Sequence, residues 1–364
     1  MSAAQDARFM ALALALGRRG MGRVWPNPAV GCVIVRDGRI IGRGWTADGG
    51  RPHAEVRALE QAGAAARGAT AYVTLEPCSH HGQTPPCAEA LVAAGVARVV
   101  VATGDPDPRV AGRGMAILRA AGIAVETGVM EAQARADQAG FLARVTAGRP
   151  FVTLKLAATL DGRIATATGE SRWITGPAAR RAVHAMRARH DAVLVGGGTA
   201  RADDPMLTVR DLGIERQPVR VVISRRLDLP EAGQLAVSAH DVPLWLCHGP
   251  EAASRVPAWQ ARGARCLEVP AEGRQLSLAA VLAALAGQGL TRVFCEGGGG
   301  IAASLLAGDL VDEIALFTAG LAIGAEGTPA LAAMGLDRLA DAPCFQLAEA
   351  RALGPDALTL WRRG

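Results

Sequence analysis

ATAYVTLEPCSHHGQTPPCAEALVAAGVARVVVATG, residues 69–104, decides the fold. It contains an apolar, β-branched run, Ala71 to Leu75, which reads as a strand. Ala88 to Ala94 is a run of helix formers closed by Gly95. Arg98 to Thr103 returns as a second strand. This strand–helix–strand order is the repeating unit of a three-layer α/β domain.

The segments on either side extend the pattern. Ala29 to Val35 predicts a strand, Asp37-Gly38 a tight turn, and Arg39 to Trp45 the returning strand of a hairpin. Ala54 to Ala66 predicts a helix ending at Gly68, Gly114 to Ala121 another, and Ile123 to Glu126 a short strand. VTAGRP, Val145 to Pro150, reads as a linker. Beyond it, Phe151 to Thr159 predicts a strand and Pro177 to His190 a helix with proline in its first turn. Ala192 to Val195, Val219 to Ser224 and Asp312 to Phe317 read as strands and Leu278 to Ala286 as a helix. Arg292 to Cys295 is a strand running into four glycines. Residues 225–275, rich in Pro, Ala and Arg, show no clear period. A chain of 364 residues is longer than one average domain, and the expected division is 1–147 and 148–364.

Half the residues are apolar and 20% are charged, which excludes global disorder. Residues 1–147 carry 16 basic and 12 acidic side chains, and the remainder 23 and 22. Neither part has the basic excess that grips a nucleic-acid backbone, so no nucleic-acid partner is expected. Lys155 is the single lysine among 39 basic residues. Seven cysteines, odd in number and widely spaced, do not form a disulfide scaffold and point to a reducing compartment. Phe9 to Leu16 is apolar, but Asp6 precedes it, and Arg18 and Arg19 stand where a signal cleavage site would lie. It reads as a short helix. No apolar stretch approaches the ~20 residues of a membrane span, so a cytoplasmic protein without membrane contact is expected.

Chemistry concentrates at His53, Glu55, Cys78 and Cys87. One imidazole and two thiolates supply three zinc ligands and leave the fourth tetrahedral place for water, whose pKa zinc lowers to about 7. Glu55, two residues from His53 in the first turn of the same helix, is placed to move protons without binding the metal. Such a site deaminates an amidine carbon hydrolytically. The alternative is a closed structural site with His80 or His81 as fourth ligand, which would make no use of Glu55. Zinc base deaminases carry H-x-E…P-C-x-x-C. Here eight residues, Ser79-His80-His81-Gly82-Gln83-Thr84-Pro85-Pro86, separate the cysteines.

HAE at 53–55, EPCSHHGQTPPC at 76–87, PNPAVG at 26–31 and GDPDPRVAGRG at 104–114 resemble the deaminase domain of the bifunctional deaminase–reductase family of riboflavin biosynthesis. The resemblance implies a cytidine-deaminase-like fold, His53, Cys78 and Cys87 as zinc ligands, Glu55 as proton shuttle, and Asn27 near the pyrimidine. One departure is visible. Asp107 stands where this family is expected to have Asn, and an ionised Asp cannot donate the hydrogen bonds of an amide.

In the second half, Glu296 to Gly300 follows a strand and opens a helix, an arrangement suited to a phosphate. The dinucleotide fingerprint G-x-G-x-x-G with a later acid is absent. A lone lysine, Lys155, in an arginine-writing chain suggests a place that needs a compact ammonium. KLAATLDGRIATATGESRWITG at 155–176, VGGGTARADDPMLTVR at 195–210 and CEGGGGIAASLL at 295–306 resemble the reductase half of the same family. They imply a dihydrofolate-reductase-like α/β fold that binds NADPH. Ala157, Trp173, Thr199, Asp203, Ser224 and Gly298, Gly299, Gly300, Ile301, Ala302, Ala303 and Ser304 match cofactor positions. Ser171, Arg187, Asp203, Leu207, Arg210 and Glu296 match substrate positions, to which Lys155 is added.

The expected protein is therefore a homo-oligomeric enzyme with Zn2+ and NADPH as cofactors. It deaminates 2,5-diamino-6-(ribosylamino)pyrimidin-4-one 5′-phosphate, then reduces the ribosyl chain to ribityl. The rivals are a deaminase of tRNA or a free cytosine nucleotide with an unrelated appended domain, and a non-catalytic zinc and nucleotide sensor.

Overall fold

Alternating apolar residues on the first strands build the core from two sides. The computed structural model describes residues 2–81 and 85–364, and the chain divides into two units, Met1–Gly148 and Arg149–Gly364. The first contains α1 (Ala3–Gly17), β1 (Gly31–Arg36), β2 (Arg39–Trp45), α2 (Ala54–Ala62), β3 (Thr70–Val73), α3 (Cys87–Ala94) and β4 (Arg98–Val101). It ends with α4 (Arg113–Ala120), β5 (Ala124–Thr127), α5 (Glu131–Asp137) and α6 (Ala139–Ala147). The strands lie in the order β2-β1-β3-β4-β5. β1 is antiparallel to β2 and β3, whereas β3, β4 and β5 run parallel.

Successive strand residues face opposite layers. Val33, Val35, Tyr72 and Val100 pack with Phe9, Met10, Ala13 and Leu14 of α1. Cys32, Ile34, Ala71, Val73 and Val99 pack with Ala54, Ala58, Leu91 and Leu118 of α2, α3 and α4. The apolar run at 9–16 thus lies within α1 against the sheet. Buried Asp6 anchors that helix, accepting from the Tyr72 hydroxyl at 2.6 Å and from Arg98 at 2.9 and 2.8 Å.

Glycine sets how closely α2 approaches. A Cβ at Gly42 would come 2.1 Å from the Ala58 carbonyl oxygen, and one at Gly44 the same distance from that of Ala54. Only a bare backbone on β2 lets the helix settle there, and its first turn carries His53 and Glu55.

The second unit contains β6 (Phe151–Thr159), β7 (Arg163–Ala165), α7 (Pro177–Arg187), β8 (Ala192–Gly196), α8 (Gly197–Asp203), β9 (Val219–Ile223), α9 (Gln234–Val237) and β10 (Leu244–His248). There follow α10 (Val256–Ala261), β11 (Arg265–Glu268), β12 (Ala271–Glu272), β13 (Gln275–Leu276), α11 (Leu278–Gly287), β14 (Arg292–Cys295) and α12 (Gly299–Ala307). The unit closes with β15 (Glu313–Ala319), β16 (Thr328–Pro329), β17 (Gln346–Leu353) and β18 (Asp356–Arg362). Nine strands form one sheet in the order β11-β10-β9-β8-β14-β6-β15-β18-β17. It is parallel from β11 to β15 and antiparallel from β15 to β17.

Three sequence expectations are corrected. VTAGRP is not all linker, because α6 runs through Ala147 and Gly148 closes it in the left-handed conformation. Residues 225–275 do have order: β10 and β11 extend the parallel sheet, and buried Trp259 packs with Leu235, Ala236, Leu244 and Leu246. Arg220 fastens this stretch from inside, donating to Ser238 Oγ at 2.7 Å, Ser238 O at 3.0 Å and Val242 O at 2.5 Å. Finally, α5, α6 and the hairpin of β17 and β18 had no counterpart in the sequence reading.

Candidate functional site

Two helix starts and one strand end meet in the first unit. His53 is the N-cap of α2, Cys87 opens α3, and Cys78 follows β3 through Glu76 and Pro77. His53 Nδ1 lies 3.3 Å from Cys87 Sγ and 3.6 Å from Cys78 Sγ. The Cys87 backbone N–H donates to Cys78 Sγ at 3.3 Å. One ligand atom from each of the three falls within 4.8 Å of the others, and this is the one such cluster among the described residues.

Positive helix ends favour anionic sulfur here. Hydrogen bonds from Cys87 and His53 outweigh burial and bring the Cys78 thiol down to about 4. Glu55 is 3% exposed. Burial first, and then the Cys78 charge, push its carboxyl up to about 7, opposed by His53. Two sulfurs and a carboxyl crowded beside one imidazole gather negative charge that a soft dication neutralises. The donor set is that of a catalytic zinc site with an open position. His81 faces Glu89 at 3.4 Å, and neither it nor His80 belongs to the cluster. Of the insert between the cysteines, Gly82, Gln83 and Thr84 lie outside the described residues.

Asn27 donates to the Gly50 carbonyl at 3.3 Å, in the turn that leads to His53. Gly50 has φ of 89°, and a Cβ there would stand 1.8 Å from Asn27 Nδ2. Glycine is what lets the turn close on the amide. Sequence reasoning missed Glu76. Its buried carboxylate accepts from the backbone N–H groups of Asp105, Gly112, Gly114 and Met115, at 3.4, 3.0, 3.0 and 3.3 Å. It thereby ties the ligand-bearing strand end to the loop before α4. The signal was an acidic residue in an otherwise apolar strand end.

The second unit gathers charge at the carboxyl ends of its central parallel strands, the usual location for ligands in such sheets. Arg187, the last residue of α7, pairs with Glu296 after β14, Nε to Oε1 at 2.5 Å and Nη2 to Oε2 at 3.0 Å. Its Nη1 donates to Thr208 O at 2.8 Å. Lys155 on β6 feels the charges of Glu296, Arg187 and Asp203, and burial is the main cause lowering its pKa. Burial alone would raise the Glu296 carboxyl, but Arg187 and Lys155 hold it below the ordinary value.

Beside this cluster, β8 and β14 are neighbours, and each ends in glycines that open a helix. A Cβ at Gly196 would come 2.6 Å from Ile301 Cδ1, one at Gly298 3.6 Å from Thr199 Oγ1, and one at Gly197 3.2 Å from Ser224 Oγ. These contacts bring Thr199, Ser224, Gly298 and Ile301 to one floor. Gly299, Gly300, Ala302, Ala303 and Ser304 follow along α12. Ala157 lies on β6, two residues from Lys155. Leu207 is buried with φ of 55°, and the Arg210 N–H donates to His184 Nδ1 at 3.3 Å. Asp203 accepts Arg172 Nη2 on its carbonyl at 3.2 Å. Ser171 and Trp173 stand on an exposed loop, where Arg180 stacks 4.6 Å over the indole. Sequence reasoning overlooked His184; the Gly196–Gly198 turn lies in the segment 195–210 that carries the resemblance.

Each unit matches a known protein family. Residues 3–103 match the family described as the cytidine and deoxycytidylate deaminase zinc-binding region. Residues 150–359 match the RibD C-terminal domain. The chain is 44% identical to the riboflavin biosynthesis protein RibD of Escherichia coli, over 97% of this chain and 98% of the relative. It is 40% identical to that of Bacillus amyloliquefaciens, over 96% and 94%. An Acinetobacter baumannii RibD structure superposes with a TM-score of 0.90 at 40% identity, covering 100% of both chains. A Thermotoga maritima structure described as a diaminohydroxyphosphoribosylaminopyrimidine deaminase/5-amino-6-(5-phosphoribosylamino)uracil reductase gives 0.86 at 34% identity, covering 100% of this chain and 99% of that one. Among the described residues, no helix is long and apolar enough to cross a membrane.

Proposed function

The chain belongs to the RibD family of riboflavin-biosynthesis proteins, and on that premise we propose how its two sites divide the work. It is a bifunctional enzyme, a zinc-dependent deaminase and a reductase that uses a nicotinamide cofactor. The substrate we assign to the first site is 2,5-diamino-6-(ribosylamino)pyrimidin-4-one 5′-phosphate, and the cofactor we assign to the second is NADPH.

In the deaminase site, His53, Cys78 and Cys87 would hold the zinc ion, which supplies an activated water for attack on the amine-bearing ring carbon. Glu55 takes up a proton from that water and returns it to the departing amine. A carboxyl raised to about 7 is suited to both duties near neutral pH. Asn27, held by Gly50, offers its amide to the pyrimidine.

In the reductase site, the start of α12 at Gly298–Ser304 would carry the cofactor's phosphate, with Thr199, Asp203, Ser224, Ala157 and Trp173 around the rest. When bound, the cofactor supplies a hydride for C1′ of the ring-opened sugar. Lys155 donates a proton to the nitrogen bonded to that carbon, its ammonium made more acidic by burial. Ser171, Leu207 and Arg210 surround the ribosyl phosphate, and the Arg187–Glu296 pair fixes the wall behind it.

The observation that carries this reading is the convergence of three ligand atoms within 4.8 Å, with Glu55 buried two residues from His53. The test is to supply the diaminopyrimidine phosphate with NADPH, then follow ammonia release and loss of cofactor absorbance. Ammonia without cofactor oxidation would remove the reductase assignment, and absence of both signals would remove the deaminase assignment.

A further inference from the structure

Asp107, where an Asn was expected, is paired within its own loop. Arg109 closes on the Asp107 carboxylate. Its Nε lies 3.0 and 3.1 Å from the two oxygens, Nη2 lies 2.5 Å from Oδ2, and its own backbone N–H donates to Oδ1 at 2.9 Å. The carboxylate is sunk, with a side-chain exposure of 12%, whereas that of Arg109 is 70%. A guanidinium has five N–H donors in a rigid fork. Asp107 engages one edge of it, and the rest of the largely exposed side chain has donors to spare.

The loop that carries this pair is wired to the metal-ligand segment. Asp105 Oδ1 accepts the Asp107 N–H at 2.8 Å. Glu76 accepts the Asp105 N–H and caps the start of α4 at the loop's far end. Ser79 Oγ donates to the Arg109 carbonyl at 3.1 Å. Glu76 and Ser79 lie two residues before and one residue after the ligand Cys78. The backbone at Arg109 is therefore tied to the segment that carries Cys78, its guanidinium is held by Asp107, and a cation fixed in advance gives up little freedom on binding an anion.

We propose that Arg109, held by Asp107, is the phosphate anchor of the deaminase site in this chain. The proposal rests on the deaminase reading above and adds to it the residue that selects a phosphorylated substrate. The chemistry matches: a phosphate monoester is a compact dianion, and arginine binds it through paired, charge-assisted hydrogen bonds. Asp105 and Asp107 are the acidic groups that act on Arg109, and His80 lies close enough to act on Asp107. Arg51, whose charge acts on His53, is the rival cation.

The test uses the full-length zinc-loaded protein. Deamination kcat/KM is measured for the phosphorylated diaminopyrimidine and for the same compound stripped of its phosphate. Arg109→Gln should lower the ratio of the two values by about tenfold or more, the scale of a lost charged hydrogen bond, and Arg109→Lys should recover part of it. Zinc content should stay at the wild-type level in both. An unchanged ratio, an equal loss on both substrates, or a fall in the ratio with Arg51→Gln alone would each overturn the assignment. A wild-type protein that releases no ammonia from either compound would instead overturn the deaminase reading, and the anchor with it.

Discussion

Arg187 and Glu296 stand 109 residues apart in sequence yet meet edge to edge, at 2.5 and 3.0 Å, with side chains only 11% and 10% exposed. The pair joins the last turn of α7 to the glycine-rich turn after β14, and Lys155 lies within its field. Removing one member of a buried pair strands the other charge. Glu296→Gln should therefore lower reductase kcat/KM by at least about tenfold, on the scale of a broken charged hydrogen bond. Steady-state rates with the deaminated substrate check this, and wild-type rates would take the pair out of the site.

The cysteines are tested by metal analysis. Wild-type protein should carry about one zinc per chain. Cys78→Ser and Cys87→Ser should each lose most of it, because serine does not supply a thiolate. Full zinc content in both variants would mean that the ion binds elsewhere.

His190 gives a pH signature for the second unit. It is buried, with Nδ1 2.7 Å from Met186 O and Nε2 3.0 Å from Thr153 Oγ1. Burial lowers its pKa from 6.5 to about 3, against the pull of the Met186 carbonyl. Between those values the unfolded chain takes up a proton that the folded one refuses. Its contribution to stability is therefore level above about pH 6.5 and falls as the pH drops toward 3, by roughly 1.4 kcal/mol per pH unit. Thermal unfolding of wild type and His190→Gln from pH 7.5 to 4.5 should show a steeper acid loss in the wild type. Parallel curves would show that the ring titrates alike in both states.

Much of this architecture is readable in residues whose pattern has one physical solution. Cys32 to Val35 alternates between two layers, and Gly95 takes the left-handed conformation that closes α3. The candidate metal cluster of His53, Cys78 and Cys87 is legible because sulfur and imidazole at that spacing have few other uses. The strands β10 and β11 were not, since their partners are parallel neighbours far away in sequence, and Trp259 packs on them only once the sheet exists. β17 is exposed along nearly its whole length, so QLAEARAL carries no inward-outward alternation, and its strand form comes from pairing with β18. Glu76 and Arg109 escaped for a similar reason: Glu76 accepts from backbone N–H groups and Arg109 pairs with Asp107 inside a loop, contacts that a linear reading cannot place.

The division of labour between two sites in one chain is tested most directly with Glu55→Gln in the full-length protein. The diaminopyrimidine phosphate and the already deaminated compound are supplied separately, with NADPH present. The zinc-loaded variant should release ammonia from the first at least ~100-fold more slowly than wild type, while reducing the second at the wild-type rate. Ammonia release at the wild-type rate would contradict the role given to Glu55, and loss of both activities together would contradict the independence of the two sites.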